Sequence, residues 1–170
     1  MNNNIKILPA RPEDAKRFRE IQKITWLQTY PNEELGITRE DIDSKTNEML
    51  TPERTEEIAE IIKNTDTSVS LVAKDGGEIV GFMGVDIPNR KIAAIFVLPE
   101  YQEQGIGRAL LEKGLEQLGA GKISLNVVSY NQKAINFYKK LGFVENGPTS
   151  DDPVIFASGK VLPKIEMVKN

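Results

Sequence analysis

The chain contains neither cysteine nor histidine in its 170 residues. Without thiols, it is barred from disulfides, thiolate nucleophiles and cysteine-ligated zinc or iron–sulfur centres. Without imidazole, serine–histidine triads, histidine bases and histidine-ligated metals are excluded as well, and no metal is expected. Acid–base chemistry is left to Asp, Glu, Tyr, Lys, a terminus or water. No run approaches the ~20 apolar residues of a membrane span, and the opening MNNNIKILPARPEDAKRF has no apolar core of signal-peptide length. No membrane partner and a cytoplasmic location are therefore expected. Positive charge is not in excess either: the net charge of −3 argues against a nucleic-acid partner.

What is present suits a globular protein. The hydrophobic fraction is 39% and the charged fraction 28%, and the length predicts a single domain over residues 1–170. Residues 5–8 alternate as a short strand ended by Pro9. Pro12-Glu13-Asp14 marks a helix start, and Ala15, Phe18, Ile21 and Ile24 or Thr25 recur at helical spacing to about Gln28. Residues 33–50 are acidic and partly periodic, a short helix with flanking loops. Thr51 is a candidate N-cap with Pro52 at the first helical position, and Ile58, Ile61 and Ile62 form that helix's apolar face.

From Ser68 the period becomes that of strands, over 69–73 and 79–87, joined by the turn Asp75-Gly76-Gly77. A strand over 92–98 follows Pro88-Asn89-Arg90. A helix over 105–118, a strand over 123–128, a helix near 131–141, a strand from Phe143, a loop over 147–153 and a last strand near 165–168 complete the chain. The order is β-α-α-β-β-β-α-β-α-β-β. Antiparallel hairpins leading into a β-α-β crossover predict an α/β fold with a mixed, mostly antiparallel sheet flanked by helices.

Two glycines in YQEQGIGRALLEKGLEQL (101–118) stand at a strand-to-helix turn, where backbone amides can meet a phosphate. A Walker P-loop needs Gly-Lys-Ser/Thr at the turn, and Arg108-Ala109 stand there instead. The dinucleotide fingerprint needs Gly or Ala at position 110, which is Leu110. Gln102-Glu103-Gln104-Gly105-Ile106-Gly107 instead matches Q/R-x-x-G-x-G/A, although a plain helix start with turn glycines reads equally well from this hexapeptide. In that pattern the segment resembles the acyl-CoA-binding motif of the GNAT family of N-acetyltransferases. Downstream, NQKAINFYKKLGF (131–143) resembles the N-x-x-A-x-x-F-Y-x-x-x-G-F segment that closes the cofactor site in the same family. The resemblance is strong over about 69–145, and the N-terminal part supports it by element order.

The resemblance implies the GNAT fold, with a splayed parallel strand pair in the sheet, and acetyl-CoA as acyl donor to a primary amine in a ternary complex. It implies that the backbone of Phe96 and Val97 holds the pantetheine like an added strand, and that an N–H of Val97 or Leu98 polarises the thioester. Gln102, Gln104, Gly105, Ile106, Gly107, Arg108 and Ala109 would hold the pyrophosphate. Asn131 and Ala134 would contact the pantetheine, Asn131 also capping its helix. Phe137 reads as core, whereas Tyr138 faces differently, need not be buried, and by resemblance protonates the leaving thiolate. Arg108 is the nearest candidate for the 3′-phosphate, with Lys113, Lys139 and Lys140 behind it.

Relatives in this family often carry a glutamate on the strand before the glycine turn, but here that strand reads KIAAIFV. The general base is therefore unknown, with Asp86, Glu33, Glu34 or a water chain as candidates. Trp26, Tyr30, Glu33 and Glu34 would form an aromatic and acidic pocket for a polyamine or another small amine, the layout loosely resembling bacterial polyamine acetyltransferases. Trp26 reads equally as core, and a protein or peptide amine is the alternative acceptor. An inactive acyl-CoA-binding sensor or a nucleotide-binding protein are the rival functions. A homodimer would form by pairing at an exposed C-terminal strand and the loop 147–160.

Overall fold

The computed structural model describes residues 4–170. Seven strands form one sheet in the order β1-β2-β3-β4-β5-β7-β6. They are β1 (Ile5–Pro9), β2 (Ser68–Asp75), β3 (Glu78–Asp86), β4 (Lys91–Val97), β5 (Ile123–Val128), β6 (Val144–Thr149) and β7 (Lys164–Lys169). Helices α1 (Ala15–Thr29), α2 (Arg39–Met49), α3 (Pro52–Lys63), α4 (Ile106–Leu118) and α5 (Gln132–Lys140) flank it. All neighbouring strands are antiparallel except β4 and β5, which run parallel. The mixed sheet is the one that hairpins plus one crossover require.

Local chemistry explains most boundaries. A 3-10 turn at Pro12–Asp14 leads into α1. Thr51 caps α3, its side chain accepting from the Arg54 N–H, with Pro52 in the first turn. Asn131 caps α5, its Oδ1 accepting from the Ala134 N–H at 3.1 Å. Three helices precede β2: the short helix expected within 33–50 is α2 over residues 39–49, which the expected element order left out. Thr38 and Asp41 close a capping box at its start, a signal the acidic composition hid. Thr25, not Ile24, is the buried fourth position of α1, its hydroxyl donating to Ile21 O at 2.9 Å. On α3, Ile61 is exposed and Ala59 is buried in its place.

At the C-terminal end the structure departs further from the sequence pattern. Residues 147–149, expected in a loop, belong to β6, where Pro148 is tolerated because β6 is an edge strand. The C-terminal strand β7 is not an edge: it lies between β5 and β6.

Both faces of the sheet are covered. On one, Phe18 of α1 stacks on Phe82 at 4.2 Å between centroids. On the other lies α4, and the adjacent residue Met83 points to it. Gly114 makes that approach close: a Cβ there would stand 2.5 Å from Met83 Cε and 3.3 Å from Val85 Cγ2. A second cluster, with Trp26, Tyr30, Ile37, Phe156 and Leu162, ties the end of α1 to the segment before β7.

Because Met83 is fully buried and cannot swing into solvent, Gly114→Ala is expected to overpack this seam. The cost is about 1–3 kcal/mol, read as a lower denaturant midpoint with the slope unchanged. A midpoint equal to wild type would show that the seam can relax.

Candidate functional site

Strands β4 and β5 pair only at Lys91↔Ser124 and Ile92↔Leu125. Beyond Ile92 they separate, and the gap is a cleft of about 860 Å³ that reaches from α1 through the sheet to α4 and α5. Residues 93–97 of β4 form one wall, Asn126 and Val127 of β5 the other.

The backbone of β4 presents itself alternately. The Leu98 N–H donates to Val80 O at 2.8 Å, so by antiparallel alternation Phe96 also turns its N–H and C=O toward β3. Ile95 and Val97 turn theirs toward the cleft. Of the two amides weighed for polarising a carbonyl, that of Leu98 is spent, and Leu98 lies in the core. Likewise the backbone groups open to an added strand are those of Ile95 and Val97 rather than Phe96. The Val97 C=O already accepts from Gln102 Nε2 at 2.9 Å.

At one end of the cleft lies the turn 102–105. Glu103 and Gly105 both have positive φ, 63° and 83°, a backbone that aims successive amides at one point. The Ala109 N–H closes the first turn of α4 onto Gly105 O. The amides left open at the helix start are therefore those of Ile106, Gly107 and Arg108. Gly105, Gly107 and Arg108 line the cleft, whereas Ile106 is buried with its side chain in the core. The Gln104 side chain turns away to Glu100 O. A Cβ on Gly107 would meet Phe137 at 3.6 Å and Val97 at 4.0 Å, so glycine keeps this passage wide.

Cations gather at the same end. Arg108 lines the cleft while its Nε holds Glu112 at 2.7 Å. Lys140 also lines it, but Lys113 and Lys139 point elsewhere and pair with Glu116 and Glu145. Lys133 was missed by the sequence reading. It reaches from α5 across the turn to Glu103 at 2.8 Å and Gln102 at 3.0 Å.

Ala134, Phe137 and Tyr138 of α5 line the middle of the cleft, together with the cap Asn131. The expected contrast between the two aromatics is reversed: Tyr138 is buried at 7% exposure and Phe137 is only partly so. Helix α5 turns Tyr138 inward, where it packs edge-on against Phe143 and Phe137. Burial raises its phenol above the ordinary value, and the neighbouring Tyr30 adds to the shift.

The far side is neutral. Thr25, Gln28 and Thr29 of α1 and the capping Tyr30 line it, and the Tyr30 carbonyl is anchored by the Tyr130 hydroxyl at 2.6 Å. Trp26 lies in the second core cluster rather than on the wall. Glu33 and Glu34 are exposed outside the cleft. Asp86 is the last residue of β3, its carboxylate engaged by Asn89. None of the three candidate bases lines the cleft, and the one carboxylate on its wall among the described residues, Glu103, is tied to Lys133. Asn126 was also missed: its Oδ1 is buried without a partner, and a lone amide in the strand ISLNVV was the available signal.

The arrangement suits an extended ligand with an anionic end: open amides and cations at the turn, unpaired strand edge along the arm, and a buried hydroxyl where the arm ends. A sequence model described as the acetyltransferase (GNAT) family matches residues 16–143. Peptidyl-lysine N-acetyltransferase YjaB of Salmonella typhimurium is 29% identical over 136 residues, spanning 79% of this chain and 88% of that protein. Its Escherichia coli counterpart is 27% identical over 124 residues, 72% and 79% of the two chains. Among solved structures, the PaiA N-acetyltransferase of Thermoplasma acidophilum in complex with coenzyme A superimposes with a TM-score of 0.77 at 23% identity, covering 98% of each chain.

The tyrosines give this geometry a spectroscopic signature. Burial raises all four phenols, Tyr130 to about 12, against an unfolded value of about 10. A raised acid favours the folded state while it stays protonated. This stability is complete below pH ~10 and is lost as pH climbs from there through the folded values. Titration at the tyrosinate absorption band is expected to show the three enclosed phenols, Tyr30, Tyr130 and Tyr138, protonated past pH ~10 and then ionising cooperatively with loss of circular dichroism. A reversible step near pH ~10 from more than one tyrosine would contradict the burial of these three rings.

Proposed function

The chain belongs to the acetyltransferase (GNAT) family, and from that premise we propose that the cleft joins acetyl-CoA and a primary amine in one ternary complex. The enzyme is an acyltransferase with acetyl-CoA as donor. The observation that carries the finer reading is the early end of β4–β5 pairing, which leaves a strand edge beside a buried hydroxyl with an opening on either side.

Three parts of this chain divide the donor. The amides of Ile106, Gly107 and Arg108 take the pyrophosphate, with Lys133 beside the turn and Arg108 and Lys140 on the cleft wall as its cations. Ile95 and Val97 pair with the pantetheine, and the Val97 N–H lies where the thioester carbonyl develops charge. Tyr138 donates its O–H to the sulfur as it leaves. The amine enters past Thr25, Gln28 and Tyr30 and attacks the carbonyl directly, so the gain comes from proximity and orientation. With no unpaired carboxylate on the cleft wall among the described residues, an acceptor with one amine on a slim arm, such as a lysine side chain or small monoamine, fits better than a polyamine.

Two measurements test this, both following thiol release from acetyl-CoA over an amine panel. Tyr138→Phe keeps the ring and removes the donor, so kcat is expected to fall about 100-fold with KM for acetyl-CoA unchanged. Undiminished turnover would remove Tyr138 from the mechanism, and acetyl-CoA binding with no thiol release for any amine would make the chain an acyl-CoA-binding module. The second is the pH profile. With no side chain to take the proton, kcat/KM is expected to rise about tenfold per pH unit until the acceptor's own pKa. A break that stays fixed when the acceptor is changed would reveal an enzyme base.

A further inference from the structure

Attack on a thioester leaves the amine nitrogen positively charged and obliged to shed a proton, while the departing sulfur must gain one. Histidine is absent, and the one carboxylate on the cleft wall among the described residues is tied to Lys133. On the α1 side of the cleft, few groups can carry that proton. Gln28 is an amide, which does not ionise near neutral pH, and Thr29 is exposed. The buried Thr25 hydroxyl donates its proton back to Ile21 O at 2.9 Å. Tyr30 is what remains.

Tyr30 is held in place without help from its own hydroxyl. Its ring packs on Trp26 at 5.2 Å between centroids, and its carbonyl accepts from the Tyr130 hydroxyl at 2.6 Å. Tyr30 is 9% exposed and Tyr138 is 7% exposed. Neither hydroxyl has a hydrogen-bond partner among the described residues, yet neither is sealed from solvent as Arg19 Nε, Trp26 Nε1 and Asn126 Oδ1 are. Both rings line the cleft, so the space that their oxygens reach is the cleft itself. Buried hydroxyls ordinarily find partners. Two of them opening unpaired into one cavity, from the end of α1 and from α5, is more than packing requires. Burial holds both phenols protonated far past neutral pH, and Tyr30 adds to the rise at Tyr138. The two oxygens thus lie within electrostatic reach of each other.

We propose that Tyr30 is a second catalytic phenol, taking the proton of the attacking nitrogen and passing its own toward Tyr138. This rests on the reading of the cleft as the place where acetyl-CoA and amine meet. The amine attacks as the free base, its first proton already lost to solvent. As nitrogen bonds to the acyl carbon, an N–H bond breaks and that proton goes to the Tyr30 oxygen. The proton of Tyr30 crosses one water in the cleft to Tyr138. The proton of Tyr138 goes to sulfur as the C–S bond breaks and leaves its electron pair there. Amide and thiol are the products, and both phenols end as they began. Moving together, the transfers never leave a phenolate in a place where burial disfavours one. Tyr30 therefore adds no break to the pH profile.

The test follows thiol release in single turnovers of the full chain with acetyl-CoA bound, using trifluoroethylamine and Nα-acetyl-lysinamide as acceptors. Tyr30→Phe keeps the ring and its backbone anchor, so the thermal midpoint is expected to match wild type. Its rate is expected to fall about 100-fold, with acetyl-CoA affinity unchanged. Residues that act as a unit are lost only once, so the double variant Tyr30→Phe/Tyr138→Phe is expected to be no slower than the slower single one. In mixtures of H2O and D2O the wild-type rate is expected to bend with deuterium fraction, because several protons move in one step. This readout needs no variant. Undiminished turnover in Tyr30→Phe overturns the proposal, as does a straight dependence on deuterium fraction. A double variant slowed by the product of the two single losses also overturns it, and makes Tyr30 an independent contact. If wild type releases no thiol with either amine, the reading of the cleft itself fails, and the relay with it.

Discussion

The structure depends on one interrupted ladder. Parallel strands in a sheet ordinarily pair along their whole length, yet β4 and β5 pair over two residues and then part. The interruption has a visible local cause: the register between β3 and β4 shifts at Gly84 and Val85, leaving Ala93 as the extra residue of a bulge. A bulge bends its strand and increases its twist, and it falls one residue after the last β4–β5 pair. Each strand stays in place beyond the gap because its other edge is fully paired, β4 with β3 and β5 with β7. An unpaired buried backbone edge is costly, so the gap is a strong invitation to any ligand that can complete it.

Around the gap, charge is sorted along the cleft. Arg108 and Lys133 stand at the glycine-turn end, Lys140 lines the cleft wall as well, and the α1 side carries hydroxyls and amides. A donor with phosphates and an acceptor with an amine would thus be drawn to opposite ends by fields that do not compete. The chain's net charge of −3 reports none of this, since whole-molecule charge governs solubility and long-range steering rather than one pocket.

Legibility in the sequence followed the range of the interactions. The glycine turn, the cap Asn131 and the hairpin at Gly76 depend on neighbours a few residues apart, and each could be read from local pattern. The mixed sheet with its parallel pair followed from connection rules. What escaped depends on contacts between distant segments. That β7 lies inside the sheet is decided by pairing with β5 forty residues upstream. That Tyr138 is buried while Phe137 is half-open is decided by which face of α5 meets Phe143. Lys133 and Asn126 looked like ordinary surface and strand residues until the fold placed them on one cleft. Asp86, Glu33 and Glu34 lie off the cleft wall, a placement the sequence could not give for the same reason: a carboxylate's chemistry is visible in sequence, but its address is not.

The buried phenol constrains how the acyl group would leave. A thiol has an ordinary pKa of about 8.5 and an exposed phenol about 10, and burial raises Tyr138 further. Full proton transfer from Tyr138 to a free thiolate is therefore uphill by at least the ~2 kcal/mol that the difference of about 1.5 units represents. A hydrogen bond to the developing thiolate carries no such penalty and strengthens in an enclosed site. Net proton flow must still run from the attacking nitrogen, which becomes acidic as it bonds to the acyl carbon, to the departing sulfur. If Tyr138 passes its own proton to sulfur only as the nitrogen's proton is withdrawn through water, the uphill step never stands alone. A cleft without histidine or a free carboxylate can then be sufficient, because the chemistry asks it for placement and one well-aimed hydroxyl rather than for a strong base.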